Sequence, residues 1–127
     1  MKRIFFSAAI LLLLLALVGA KQSARVNAPK GILRHTVAFN FKPGVSQEDI
    51  EKILVDTRAT LPTIEGATNI IVGAQTSTWT KYKYGISIDF TSRAAKEAYA
   101  KSRQSKRLHE EYKQLVEDEV VIDVLSE

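Results

Sequence analysis

Two stretches of the chain alternate apolar and polar residues with a period of two, and this constrains the fold more than any other feature. One face of the first stretch carries Leu33, His35, Val37, Phe39 and Phe41. One face of the second carries Tyr82, Tyr84, Ile86, Ile88 and Phe90. A period of two places successive side chains on opposite faces of a β-strand. Both stretches are therefore predicted to be strands whose more apolar face is buried.

The first strand is followed by a predicted amphipathic helix. After the break at 42–44, Ser46 is placed to cap the helix, and the acidic residues Glu48 and Asp49 suit its first turn. Residues at helical spacing then form one inward stripe: Ile50, Ile53, Leu54, Thr57 and Leu61. Pro62 is predicted to end this helix because proline cannot continue the hydrogen-bond pattern.

The second alternating strand is also followed by helix. Thr91 or Ser92 provides the cap, and the predicted inward stripe is Ala95, Ala98, Tyr99 and Ser102. The polar segment 102–106 is predicted to interrupt the helix. A further helix then brings Leu108, Tyr112, Leu115 and Val116 together.

Two more strands complete the pattern, one over about 67–75 and one over 120–125. The element order is then βαββαβ, an α+β fold with helices on one face of an antiparallel sheet. The other sheet face needs cover, for which a second copy of the chain is the simplest candidate. The residues expected on that face are Ala38, Ile70, Val72, Val121 and Leu125.

The first twenty residues have the pattern of a secretory signal peptide. Lys2 and Arg3 precede the apolar stretch 4–18, and small residues follow at 18–20. The stretch is shorter than the roughly 20 residues that span a bilayer. We therefore expect an exported protein, periplasmic or secreted, with a signal at 1–20, a linker at 21–31 and one domain at 32–127. The alternative is an uncleaved N-terminal membrane anchor, which is the one membrane association that the sequence suggests.

Composition limits the remaining classes of function. The chain has no cysteine, which excludes a lipoprotein thiol, disulfides and thiol nucleophiles. Without Lys2 and Arg3, the chain has 16 Lys and Arg and 14 Asp and Glu, so its net charge is close to zero. This charge gives no reason to expect nucleic acid as a partner. With two histidines and no motif for nucleotides or metals, no metal and no cofactor is predicted.

Three stretches resemble the stress-responsive dimeric α/β-barrel family. They are 35–46 (HTVAFNFKPGVS), 84–90 (YGISIDF) with the alanines and Tyr99 that follow, and 120–123 (VVID). The resemblance implies a ferredoxin-like protomer that forms a homodimeric barrel, with a small pocket between the sheet and the helices of each protomer. Some plant members are cyclases that use a histidine and a tyrosine in that pocket. Here His35 and Tyr99 match such residues, whereas 102–105 reads Ser-Arg-Gln-Ser where the family commonly has His-Pro-x-His.

His35 and Tyr99 are therefore the candidate catalytic residues. An imidazole on an apolar face could serve as an acid or a base, and a phenol could orient a ligand oxygen. The alternative for both is a core residue with a satisfied hydrogen bond. The predicted ligand-binding residues are His35, Val37, Phe39, Tyr84, Ile86, Tyr99, Ser102 and Ser105.

The sequence leaves three functions open. We expect a small-molecule binding protein with a pocket between sheet and helices. The alternative is a cyclase- or lyase-like enzyme acting on a carbonyl substrate, with His35 as base and Tyr99 as hydrogen-bond donor. A third possibility is an interaction module that uses the basic run between 101 and 113.

Overall fold

A computed structural model describes residues 29–127 and shows a four-stranded antiparallel sheet with helices against one face. The predicted signal peptide at 1–20 and most of the predicted linker at 21–31 lie outside the described residues. The elements are β1 (Leu33–Phe41), α1 (Gln47–Thr60), a 3₁₀ turn (Leu61–Thr63), β2 (Ala67–Ala74), β3 (Tyr84–Phe90), α2 (Arg93–Lys101), α3 (Arg103–Leu115) and β4 (Val116–Leu125). The strand order is β2-β3-β1-β4, so β1 and β3 are central. This is the predicted ferredoxin-like α+β fold.

The helix starts follow the serine caps. The Ser46 hydroxyl accepts a hydrogen bond from the Asp49 amide at 3.0 Å, and the Ser92 hydroxyl accepts one from the Ala95 amide at 3.0 Å. Each cap satisfies a backbone donor that has no partner within the helix. The predicted α1 stripe is buried, and Pro62 follows its last turn as expected.

The break between α2 and α3 is shorter than predicted. Ser102 alone leaves the helical conformation: its amide donates to the Tyr99 carbonyl, and its hydroxyl accepts from the Ser105 amide at 3.1 Å. One residue thus ends one helix and caps the next. On α2, Lys96 is half-buried and Ala98 is exposed, so the expected inward position of Ala98 is wrong.

Residues on the helix-covered face of the sheet pack against the helices in two clusters. The first consists of Leu33, Leu61, Ile64, Ile88, Phe90 and Leu108, and the second of Phe39, Ile50, Ile53 and Leu54. Every one of the strand residues in these clusters belongs to the two alternating stretches. The pattern of period two therefore correctly identified the core of β1 and β3.

The bare face of the sheet, opposite the helices, differs from the prediction in β2. The β2–β3 register shifts between Thr68 and Ile71, and Asn69 has a left-handed φ of 47°. This irregularity adds one residue to β2 and reverses the facing of the residues after it. Ile70 and Val72 consequently pack against the core clusters, whereas Ile71 is exposed on the bare face.

The prediction for β4 is also corrected. Val121 pairs with Val37 and Leu125 pairs with Leu33, which places both on the helix-covered side, because directly paired residues share a face. The bare face instead carries Val120, Ile122 and Val124, which are 38%, 54% and 57% exposed. Ala38 lies there as expected. Apolar residues occupy both faces of β4, so alternation could not decide its register.

Candidate functional site

A cavity of about 390 Å³ lies between the sheet and the helices. Its walls are mainly apolar and include Val37, Phe39, Leu61, Ile86, Ile88 and Leu108. Six polar residues also line it: His35, Thr57, Tyr99, Ser105, His109 and Tyr112. The charged lining residues Lys96, Lys106, Glu110 and Glu119 come from α2, α3 and β4. An apolar hollow with a few converging polar groups is the usual form of a small-molecule site.

His35 lines this cavity from the middle of the sheet. Its β1 position lies opposite Asp123 of β4, and Nδ1 of the imidazole is 2.6 Å from Oδ1 of the carboxylate. The His35 side chain is only 14% exposed. Because Nδ1 is engaged by the carboxylate, Nε2 is the ring nitrogen left for a ligand.

Asp123 is shared between two partners. Its Oδ2 atom lies 3.2 Å from the Nζ atom of Lys96 on α2, while Oδ1 contacts His35. Partial burial acts to raise the pKa of the Asp123 carboxyl, but the bonds to His35 and Lys96 outweigh it and hold that pKa below its ordinary value. The carboxylate is therefore ionised at neutral pH and can orient the imidazole.

Tyr99 reaches the cavity from α2. Its ring lies 5.2 Å from the Phe90 ring, centroid to centroid, which fixes the side chain against the core. Burial raises the pKa of the Tyr99 hydroxyl, and the nearby Ser105 hydroxyl offsets this in part. The phenol therefore keeps its proton at neutral pH and can donate a hydrogen bond.

Tyr112 and Thr57 form a second polar group in the cavity wall. The two side-chain oxygens are 2.9 Å apart, and the Tyr112 ring packs edge-on against Phe39 at 5.3 Å between centroids. Burial raises the pKa of the Tyr112 hydroxyl, so it too is protonated at neutral pH. The helical stripe identified Tyr112 as a packing residue and did not indicate that it lines a cavity.

Six of the eight predicted ligand-binding residues line the cavity: His35, Val37, Phe39, Ile86, Tyr99 and Ser105. The other two lie elsewhere. Tyr84 packs against Phe41 at 4.8 Å between ring centroids, and the Ser102 side chain caps the N-terminus of α3.

Sequence reasoning missed Asp123 and Lys96. Asp123 did carry a usable signal, since it is the one charged residue within the apolar run 120–125. Lys96 carried none, because a lysine on a helix surface is ordinary. His109 also lines the cavity and is exposed.

Among residues 29–127, no group of three or more His, Cys, Asp or Glu side chains could hold a metal ion. Within that same range, no helix is long and apolar enough to cross a membrane.

The model of the stress responsive A/B barrel domain family matches residues 33–126. A solved Dabb family protein with a ferredoxin-like fold from Mesorhizobium loti is 27% identical over 77% of this chain and 99% of its own, with a TM-score of 0.69. The hydroxynitrile lyase of Passiflora edulis is 19% identical over 78% of this chain and 96% of its own, with a TM-score of 0.71.

A dimeric ferredoxin-like protein of unknown function from Jannaschia is 23% identical over 74% of this chain and 98% of its own, with a TM-score of 0.64. None of the curated proteins matches the chain significantly. Similarities below 25% identity establish the shared fold alone.

Proposed function

Because this chain belongs to the stress responsive A/B barrel domain family, we propose that it binds a small, largely apolar molecule in the cavity beneath its helices. The observation that carries the proposal is the arrangement of the cavity itself. Apolar side chains form most of its wall, and the polar groups of His35, Tyr99 and Ser105 converge on it. A packed core would leave no such space, whereas a volume of about 390 Å³ falls in the range of small-molecule sites.

We also propose that the functional unit is a homodimer that covers the bare sheet face. The exposed apolar side chains Ile71, Val120, Ile122 and Val124 lie on that face, where water would otherwise contact them. The outer edges of β2 and β4 have no neighbouring strand among the described residues. A second copy supplies the same apolar surface, as an isologous interface requires. The described dimeric state of the Jannaschia protein agrees with this arrangement.

Export remains part of the proposal. The positively charged start, the apolar stretch 4–18 and the small residues at 18–20 support cleavage after Ala20 and function outside the cytoplasm. N-terminal sequencing of the mature protein would test it. A start at Lys21 is expected, and a start at Met1 in the membrane fraction would indicate the anchored form.

Ligand binding is tested by titrating ¹⁵N-labelled protein with small aromatic molecules and following the amides that line the cavity. Ala100 lines the cavity and Ala98 lies exposed on the same helix, so the two offer a matched pair. Ala100→Phe is expected to weaken binding by narrowing the cavity, while Ala98→Phe should leave it unchanged. Equal effects of both substitutions, or no cavity response in the unaltered protein, would contradict the proposal.

A second candidate function is acid–base catalysis of a lyase reaction, and the 2.6 Å contact between His35 and Asp123 favours it. An oriented imidazole whose Nε2 is free can remove the proton of a substrate hydroxyl. As the carbonyl forms, the adjacent carbon–carbon bond breaks, and its electron pair leaves with the departing group, which then takes up a proton. Tyr99 can donate a hydrogen bond to the developing charge.

Hydroxynitriles are a suitable first probe, since a structural neighbour is a hydroxynitrile lyase. Cleavage of mandelonitrile is followed by the absorbance of the benzaldehyde released. We expect His35→Ala to abolish turnover and Tyr82→Phe, at a residue that is not among those lining the cavity, to retain it. Cleavage that survives in His35→Ala would exclude this mechanism but would leave ligand binding intact.

A further inference from the structure

The hydrogen bonds of Thr57 and Tyr112 have a direction that can be deduced by counting protons. The Thr57 hydroxyl donates to the Ile53 carbonyl, one helical turn earlier, at 2.7 Å. A hydroxyl has a single proton to donate. In the 2.9 Å contact between Thr57 Oγ1 and Tyr112 Oη, Thr57 must therefore be the acceptor and Tyr112 the donor.

This direction decides what Tyr112 can offer to the cavity. Its only proton is committed to Thr57, so its oxygen presents lone pairs alone. Thr57 is 1% exposed, and the edge-on contact with Phe39 holds the Tyr112 ring in place. The pair is thus set within the wall and cannot turn freely to suit a ligand. Both residues line the cavity, which places this acceptor in the wall that a bound molecule would contact.

We infer that Tyr112 is a specificity-determining residue that selects ligands carrying a hydroxyl group. A ligand hydroxyl can donate a hydrogen bond to the Tyr112 oxygen. A ligand carbonyl or ether oxygen at the same place has no proton to donate, so two acceptors would face each other and no hydrogen bond would form. The apolar walls, including Leu61 and Leu108, would enclose the rest of the molecule. The ligand class is therefore a small alcohol or phenol with a mainly hydrocarbon body. The inference rests on the proposed binding function and narrows its chemistry.

Three probes of similar shape separate the possible contacts. The first, 4-methylphenol, can donate a hydrogen bond; 4-methylbenzaldehyde can only accept one; and 1,4-dimethylbenzene can do neither. Each is titrated into ¹⁵N-labelled full-length protein, and its dissociation constant is taken from the cavity-lining amides. Tyr112→Phe keeps the ring and its contact with Phe39. It is expected to weaken 4-methylphenol binding about fivefold, the worth of one neutral hydrogen bond, and to leave 1,4-dimethylbenzene unaffected.

A second variant tests the proton count directly. Thr57→Val keeps the shape of the side chain but removes the acceptor, so the Tyr112 proton becomes available to the cavity. The affinity for 4-methylbenzaldehyde should then rise relative to that for 4-methylphenol. Tyr82→Phe is the matched control, because the Tyr82 hydroxyl lies 3.4 Å from Asp118 and is not among the residues that line the cavity.

The outcomes separate this inference from the proposed function. If Tyr112→Phe weakens the phenol and 1,4-dimethylbenzene equally, or Thr57→Val leaves the preference unchanged, hydroxyl selection by Tyr112 is wrong while cavity binding stands. If none of the three probes shifts the cavity amides of the unaltered protein at millimolar concentration, the proposed binding function itself fails, and the inference fails with it.

Discussion

His35 and Asp123 are 88 residues apart in the chain, yet they lie opposite each other on β1 and β4 with 2.6 Å between Nδ1 and Oδ1. The ionised carboxylate accepts the proton on Nδ1, so we expect the neutral ring to be protonated there and bare at Nε2. Asp123→Ala should abolish that preference. The ¹⁵N shifts of the two ring nitrogens measure it, with His109 as the internal reference. Unchanged His35 shifts in the variant would mean that the contact does not control the tautomer.

A second prediction concerns Asp89 and pH. Arg34 donates to both Asp89 oxygens at 2.7 and 2.8 Å, and Asn69 donates to one of them at 3.0 Å. The hydrogen bonds from Arg34 are the main cause that holds the pKa of the Asp89 carboxyl below its ordinary value. The folded state favours the ionised Asp89 carboxyl. The stabilisation that this carboxyl gives to the fold is therefore complete above its pKa in the unfolded chain, about 3.9. That contribution is lost as the pH falls further through the folded pKa.

Thermal unfolding at pH 7 and pH 3 checks this. Asp89→Asn should cost roughly 1–3 kcal/mol at pH 7, because the Asp89 side chain is only 6% exposed and its charged hydrogen bonds are lost. The variant should also lose less further stability than the unaltered protein on acidification. Glu97→Gln, an exposed change on α2, serves as the control. Parallel pH curves for Asp89→Asn and the unaltered protein would contradict the assignment.

A third prediction compares two large aromatic residues. Phe90 is fully buried between β3 and the helices, whereas Trp79 is 96% exposed in the loop before β3. Phe90→Ala should lower the free energy of unfolding by about 3–5 kcal/mol, through lost burial and the cavity left behind. Trp79→Ala should change it by less than about 0.5 kcal/mol. Urea denaturation measures both, and a large loss for Trp79→Ala would show that its loop is covered in solution.

The fourth prediction addresses the proposed dimer. Ile122 lies in the exposed apolar patch of the bare face, so Ile122→Asp would bury an unpaired charge in the interface. The dimer dissociation constant should rise by at least roughly a hundredfold. Val55→Asp makes the same change at a similarly exposed position of α1 and should leave the dimer intact. Sedimentation velocity distinguishes these cases. A stable monomer before any substitution would refute the assembly.

The sequence by itself determined the order of elements and most of the core. Alternation in β1 and β3, the serine caps and the α1 stripe all act between residues close in the chain, so their pattern carries the information directly. The same local patterns predicted that His35 and Tyr99 both face the space between the sheet and the helices. It could not detect the irregularity at Asn69, which turns Ile70 and Val72 inward, because no local pattern distinguishes one extra residue in a strand.

Tertiary structure alone decided the register of β4 and the partners of the site residues. The apolar run of β4 has similar residues on both faces, so its sequence pattern fits either of two registers. Which face Val121 and Asp123 occupy therefore depended on the pairing of β4 with β1. That pairing brings Asp123 to His35, and the packing of α2 adds Lys96. The direction of the Tyr112 hydrogen bond likewise required the position of Thr57 on another helix. These are contacts between residues distant in sequence, and only the folded chain creates them.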